Sequence, residues 1–211
     1  MKSFIVKCSM VLLVPLMLVS CSKFLERPPE GQLTEDEIFT NEDDLAAFVN
    51  GIYTLVGDNA FTSGRQVLLS ELLGDQYRGE AFTGDYGEIY RRANSIFGGT
   101  RDGFYGKAYE IAARANIVLN HLDLASARRD ELEGSAKFFR AIAHFEVVRL
   151  FAQPWGYTPE NSQPGVPLRT ELNPGSINRS TVKEVYDQVI ADLKAAETLL
   201  PAAPANGKYY T

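Results

Sequence analysis

Cysteine, histidine and tryptophan are scarce in this chain, and each scarcity removes a class of chemistry. Only Cys8 and Cys21 occur, so no disulfide framework is available and stability must come from a hydrophobic core. The histidines, His121 and His144, fall on different expected helices among apolar neighbours, and neither has a second His or Cys at a metal-ligand spacing. His144 and Glu146 are two apart and so point to different sides of a helix. No Gly-x-Ser-x-Gly elbow, phosphate loop or dinucleotide fingerprint is present. Positive charge is in short supply too: 21 Lys and Arg stand against 27 Asp and Glu, a net −6. A chain this acidic repels phosphate backbones, so nucleic acid is not an expected partner. Nor is there an apolar run of the ~20 residues that a transmembrane helix needs.

What is there begins with a short positive segment, Lys2 and Lys7, followed by the apolar stretch Met10 to Val19. That stretch covers about half of the hydrocarbon core of a bilayer, which is the pattern of a secretory signal peptide. It ends in Leu18-Val19-Ser20-Cys21, which resembles the lipobox of bacterial lipoproteins. Residues 1–20 are therefore expected to be removed and Cys21 to carry a lipid as a thioether. Cys8 then leaves with the signal, and the remaining 191 residues carry a net −8. Only Lys23 and Arg27 follow Cys21 closely, so anchoring rests on lipid and not on a basic cluster. Residues 21–33 read as a tether, since Ser22 to Gly31 has paired prolines and few large apolar groups. The folded part, residues 34–211, is expected to be all-α.

Four helices can be read there. The first follows Thr40, with Asp43 and Asp44 at its positive end, buries Leu45, Phe48, Val49, Ile52, Tyr53 and Val56, and stops at Gly57. The second spans Phe104 to Leu124, with Ala108, Ala112 and Ala115 on a seam that lets a neighbour approach closely. The third spans Asp130 to Ala152, burying Phe138, Ala141, Ile142, Phe145 and Val148, with Pro154 limiting its extension. The fourth opens on the capping box Thr181/Glu184, presents Val182, Val185, Tyr186, Val189, Leu193 and Ala196, and stops before Pro201. Helices two and three, joined by a short connection with small residues facing each other, have the construction of a tetratricopeptide-like hairpin.

Two segments between the helices stand out. Gly74 to Asp102 is glycine-rich and aromatic, with Tyr77, Phe82, Tyr86 and Tyr90 among Arg78, Arg91 and Arg92. Gln153 to Asn178 holds five prolines, three glycines and the only tryptophan, Trp155. Long irregular segments in a compact domain are often functional. Aromatic faces beside hydrogen-bonding side chains suit sugars, whose C–H faces pack on rings while amides, carboxylates and guanidinium groups take the hydroxyls. The alternative is that these rings pin the loops to the helical core. By composition alone, Tyr77, Arg78, Tyr86 and Trp155 are the candidate ligand-binding residues.

The stretch Glu133 to Phe151 (EGSAKFFRAIAHFEVVRLF), followed by a loop reaching Gly165-Val166-Pro167-Leu168, resembles the central N-terminal motif of the SusD/RagB family. Other pieces fall in the family's order. Phe39 to Leu45 through Asn50-Gly51-Ile52-Tyr53 is similar to its first helix, and Tyr105 to Leu122, around Ala113-Arg114-Ala115-Asn116, to the helix with a recurring Arg-Ala-Asn element. Arg179 to Pro201 resembles the helix after the long loop, and Cys21 with Phe24-Leu25-Glu26 the way many members begin. The resemblance implies an outer-membrane, lipid-anchored protein facing the medium, which binds oligosaccharides or polysaccharides, or sometimes peptides. It implies delivery of that ligand to a SusC-like TonB-dependent transporter by a lid-like movement.

It also implies tetratricopeptide-like hairpins supporting long irregular loops, binding in place of catalysis, and no cofactor or metal. Scattered Asp and Glu could still compose a glycosidase pair. The alternative outside this class is a helical scaffold whose only ligand is the transporter or another protein. Members are typically more than twice this length, so the chain reads as an N-terminal part, with the apolar faces of its last two helices expected to be partly uncovered.

Overall fold

The computed structural model describes residues 35–93 and 98–202. The expected signal peptide, Cys21 and the tether lie outside the described residues. The chain divides into two compact units, 1–38 and 39–211. Of the first, one helical turn, Glu35–Ile38, is described.

The described residues of the second unit form six α-helices: α1 (Glu42–Val56), α2 (Arg65–Leu73), α3 (Gly84–Tyr90), α4 (Gly99–Asn120), α5 (Arg129–Phe151) and α6 (Val182–Leu199). Its centre is α5. Tyr105, Tyr109 and Asn116 of α4 meet Phe151, His144 and Arg140 of α5, so one number rises as the other falls and the pair is antiparallel. Phe145 and Arg140 meet Tyr186 and Asp192 in the same sense, so α6 is antiparallel to α5 as well. This is the expected all-α architecture of tetratricopeptide-like hairpins. Lying between two neighbours, α5 is buried on more than one side, through Leu132, Phe139 and Val147 on one face and Ala141 and Val148 on the opposite one. Each large apolar side chain of this kind contributes about 1.5–3 kcal/mol. The alanine seam of α4 (Ala108, Ala112, Ala115) is fully buried as expected. At the far end of α5 a Cβ on Gly134 would lie 2.8 Å from Leu200 Cγ, so glycine sets how closely the end of α6 approaches.

Gly57 closes α1, and Thr181 and Glu184 form a complete capping box, both as expected. The first helix starts one residue later than expected, after Asn41, whose Oδ1 accepts the Asp43 and Asp44 N–H groups and caps it. The structure differs from the expected elements at five further points. The second helix starts at Gly99, five residues before Phe104, because Asp85 Oδ2 of α3 accepts the Thr100 N–H at 2.7 Å and caps it from a distance. It ends at Asn120; His121 leaves helical geometry, and Leu122–Leu124 form a separate 3₁₀ turn. Within the expected loop Gly74 to Asp102 lies α3, despite its two glycines. Gly87 sits where a Cβ would come within 2.3 Å of Phe82 O, and Ile89 is buried. The short helix α2, buried through Leu69 and Leu72, is a further element that periodicity did not reveal. Phe145, expected in the core, is 38% exposed and meets Tyr186 edge-on on the outer side of α5 and α6. Beside it Ile190 and Leu193 of α6 are also exposed. Among the described residues, no helix is long and apolar enough to cross a membrane.

Candidate functional site

The longest connection, 152–181, is held by polar groups that the helices bury. Arg140 forms a two-point ion pair with Asp192, Nε to Oδ2 at 2.8 Å and Nη2 to Oδ1 at 2.7 Å, with side chains only 9% and 4% exposed. Its remaining Nη1 donates to Asn116 Oδ1 at 2.9 Å and to Thr170 O at 3.1 Å. Asn116 Nδ2 donates in turn to Arg169 O, and Tyr109 Oη to Pro167 O. Three helices and the loop therefore share one polar cluster. A buried guanidinium is tolerable only when paired and hydrogen-bonded, and here it is paired and all three of its nitrogens donate.

His144 belongs to the same cluster. Its Nδ1 faces Arg140 O, which only accepts, and its Nε2 faces the Arg169 N–H, which only donates. These partners fix the neutral Nδ1–H tautomer and occupy both nitrogens. Burial, the largest cause, pushes its pKa down to about 4. Further along, the loop pairs with the start of α6. Gly165 N–H donates to Ser180 O and Ser180 N–H to Val166 O, while Gln163 O and Asn161 O take the N–H groups of Val182 and Lys183.

Next to this anchored loop lies a cleft of about 720 Å³. Its apolar floor is Leu69 and Leu73 of α2, Ile89 of α3, and Leu150 with Phe151 at the end of α5. Its polar lining is Arg92, Arg101, Asp102, Gln153 and Arg179. Both segments singled out by composition thus contribute to one cleft. Arg92 bonds Leu73 O and pairs with Asp75 at 2.8 Å, and that carboxylate holds its pKa above the ordinary arginine value. Both residues have left-handed backbone, φ 56° each. Such geometry in a non-glycine residue persists only where the surroundings enforce it. Arg179 is oriented by carbonyls, donating from Nε to Gly165 O and from Nη2 to Pro164 O.

Tyr77, Arg78, Tyr86 and Trp155 are all exposed, and none of them lines this cleft. Tyr77 and Arg78 lie in the turn after α2, and Tyr86 on α3. Trp155 stands elsewhere, edge-on to Tyr186 at 5.2 Å. Sequence reading missed Arg92, Arg179 and the polar cluster. The signal available for Asn116 and Asp192 was a polar residue within an apolar helical stripe.

Antiparallel helical hairpins with a cleft lined by their connecting segments define a helical scaffold of the tetratricopeptide-like kind. A SusD-like family model, described as starch-binding associating with outer membrane, matches residues 23–211. SusD-like protein P2 of Formosa agariphila is 33% identical over 196 residues, 88% of this chain and 36% of that relative. A SusD superfamily structure from Bacteroides thetaiotaomicron superposes with a TM-score of 0.66 at 19% identity, over 78% of this chain and 38% of that one. One from Bacteroides vulgatus gives 0.61 at 22% identity, again over 78% and 38%. The chain belongs to the SusD-like family, and it spans little more than a third of the relatives it matches.

Proposed function

We propose that this chain is the N-terminal part of a lipid-anchored outer-membrane protein that captures glycans and passes them to a SusC-like TonB-dependent transporter. The observation that carries the reading is the family match over residues 23–211, with its description of starch binding at the outer membrane. The cleft supports it: an apolar floor with a few convergent polar groups is the usual make-up of a small-ligand site. In this reading Cys21 carries the lipid and holds the protein on the outer face. Tyr77, Arg78 and Tyr86 extend the contact surface beyond the cleft, and Trp155 with Tyr186 offers a second ring surface for a long ligand. Its role is binding, without turnover. Both nitrogens of His144, a titratable side chain at the centre of the fold, are committed to backbone groups.

A second reading has its own observation. Exposed Phe145, Ile190 and Leu193 make the outer side of α5 and α6 apolar, which suits a scaffold that contacts only protein. A glycan array probed with the full chain, alongside co-purification with a SusC-like barrel, separates the two. Binding to an oligosaccharide supports capture. Tight co-purification without any glycan binding selects the scaffold. Protease shaving of intact cells tests the outward orientation, since a chain that stays protected faces the periplasm.

A further inference from the structure

We propose that the cleft between α2, α3 and the 152–181 loop selects an anionic saccharide, one bearing carboxylate or sulfate groups. The inference rests on the glycan-capture reading and narrows its ligand class. Three of the polar lining residues are arginines, Arg92, Arg101 and Arg179, against one lining acid, Asp102. Asp75, the partner of Arg92, does not itself line the cleft, where three arginines face one acid in a chain whose net charge is −6. The hydrogen-bond partners of Arg179 are neutral carbonyls, so they aim the guanidinium and leave its charge unopposed.

The balance of donors and acceptors points the same way. A neutral sugar presents hydroxyls that donate as well as accept, and a site for it supplies both kinds of partner. Here the side-chain acceptors are Asp102 and Gln153, while three guanidinium groups can only donate. Donor forks of that kind match acceptor-only groups such as carboxylate and sulfate. Arg92 is held at the cleft in a left-handed conformation that costs energy, as expected of a residue placed for something other than stability. The apolar floor of Leu69, Leu73 and Ile89 offers the complementary surface for the C–H face of a ring.

The test is an array of matched pairs probed with the full chain: oligogalacturonides and their methyl esters, sulfated and desulfated carrageenan oligosaccharides, and neutral malto-oligosaccharides. At least one charged member should bind, and its neutralised counterpart should bind about tenfold or more weakly, the scale of a lost charge-assisted hydrogen bond. Binding by the unmutated protein should fall as salt is raised, since it depends on an accessible charge. Arg92→Gln and Arg179→Gln should each weaken it by a similar factor, with Arg179→Lys recovering part; circular dichroism and melting verify that each variant is folded. Equal binding within the pairs, or binding confined to neutral members and indifferent to these substitutions, overturns anion selection and leaves glycan capture standing. No binding to any member overturns both.

Discussion

The 152–181 connection and the segment from Gly74 to Ala93 look alike in sequence, each mixing glycines and aromatic rings with arginines, yet different forces hold them. The first is fastened by groups buried in the helices beneath it: Asn116, Arg140, His144 and Tyr109 bond its backbone at Pro167, Arg169 and Thr170. The second is fastened locally and near solvent. Arg91 Nη1 donates to Phe82 O, Arg92 pairs with Asp75, and the turn Phe82–Gly79 closes on itself. Hydrogen bonds shielded from water are worth more than exposed ones, and breaking one leaves an unpaired buried group. Composition does not tell a clamped loop from a loosely held one. What distinguishes them is the polarity of residues far away in the chain, on the faces that the loops cover.

The largest test of that contrast is Asp192→Ala. It strands the Arg140 guanidinium in the core, and breaking a buried pair in this way costs about 3–5 kcal/mol. A urea titration should show the midpoint fall steeply, and limited proteolysis should cut within 152–181 before it cuts elsewhere. Loss of stability with that loop still protected would show that the cluster holds the helices and not the loop.

Next comes acid. The pKa of His144 is lowered from 6.5 to about 4 in the folded state. Between those values the unfolded chain binds a proton that the folded chain refuses, so stability is lost as pH falls from 6.5 towards 4, with no further loss below. That lowering corresponds to about 3 kcal/mol as an order of magnitude. Protonation would also set Nε2–H against the Arg169 N–H, loosening the loop at that point. Stability of the unmutated chain and of His144→Phe, measured across this range, isolates the contribution. Parallel pH curves for the two would remove His144 as its source. Tyr109→Phe is gentler: it removes one donor to Pro167 O, at 2.7 Å, and should cost about 1 kcal/mol in the same titration.

Much of the frame was legible because its signals are local. The Thr181/Glu184 capping box, Gly57, the alanine seam and Pro201 mark helix starts, stops and faces by short-range chemistry. The helices α2 and α3 were not legible. One is nine residues long and fully buries Leu69 and Leu72 alone, and the other carries two glycines in seven residues and depends on packing against Phe82. The polar cluster was hidden for another reason, since Arg140 and Asp192 stand 52 residues apart and each reads as an ordinary helical charge. Aromatic content singles out Tyr77, Tyr86 and Trp155, which are exposed side chains outside the cleft. Two of the cleft's polar residues, Arg92 and Arg179, are instead fixed through backbone carbonyls, an arrangement with no sequence pattern.

The smallest effect should come from Arg92→Gly. The substitution removes an ion pair whose partners are 53% and 63% exposed, and exposed pairs of this kind contribute little. It also places glycine where the backbone already has φ 56°, relieving a conformation that an L side chain resists. The two changes oppose each other, so the melting temperature should stay within about 2 °C of the unmutated protein. Anion binding at the cleft should nevertheless fall, because the charge is gone. The same exchange at Arg140 would remove a buried pair and put glycine inside a helix, and both changes destabilise. A neutral Arg92→Gly beside a collapsing Arg140→Gly would mark one arginine as placed for a ligand and the other for the fold. A large loss of stability from Arg92→Gly would mean that the 74–93 segment is clamped as firmly as the 152–181 loop, through the contact of Arg92 with Leu73 O.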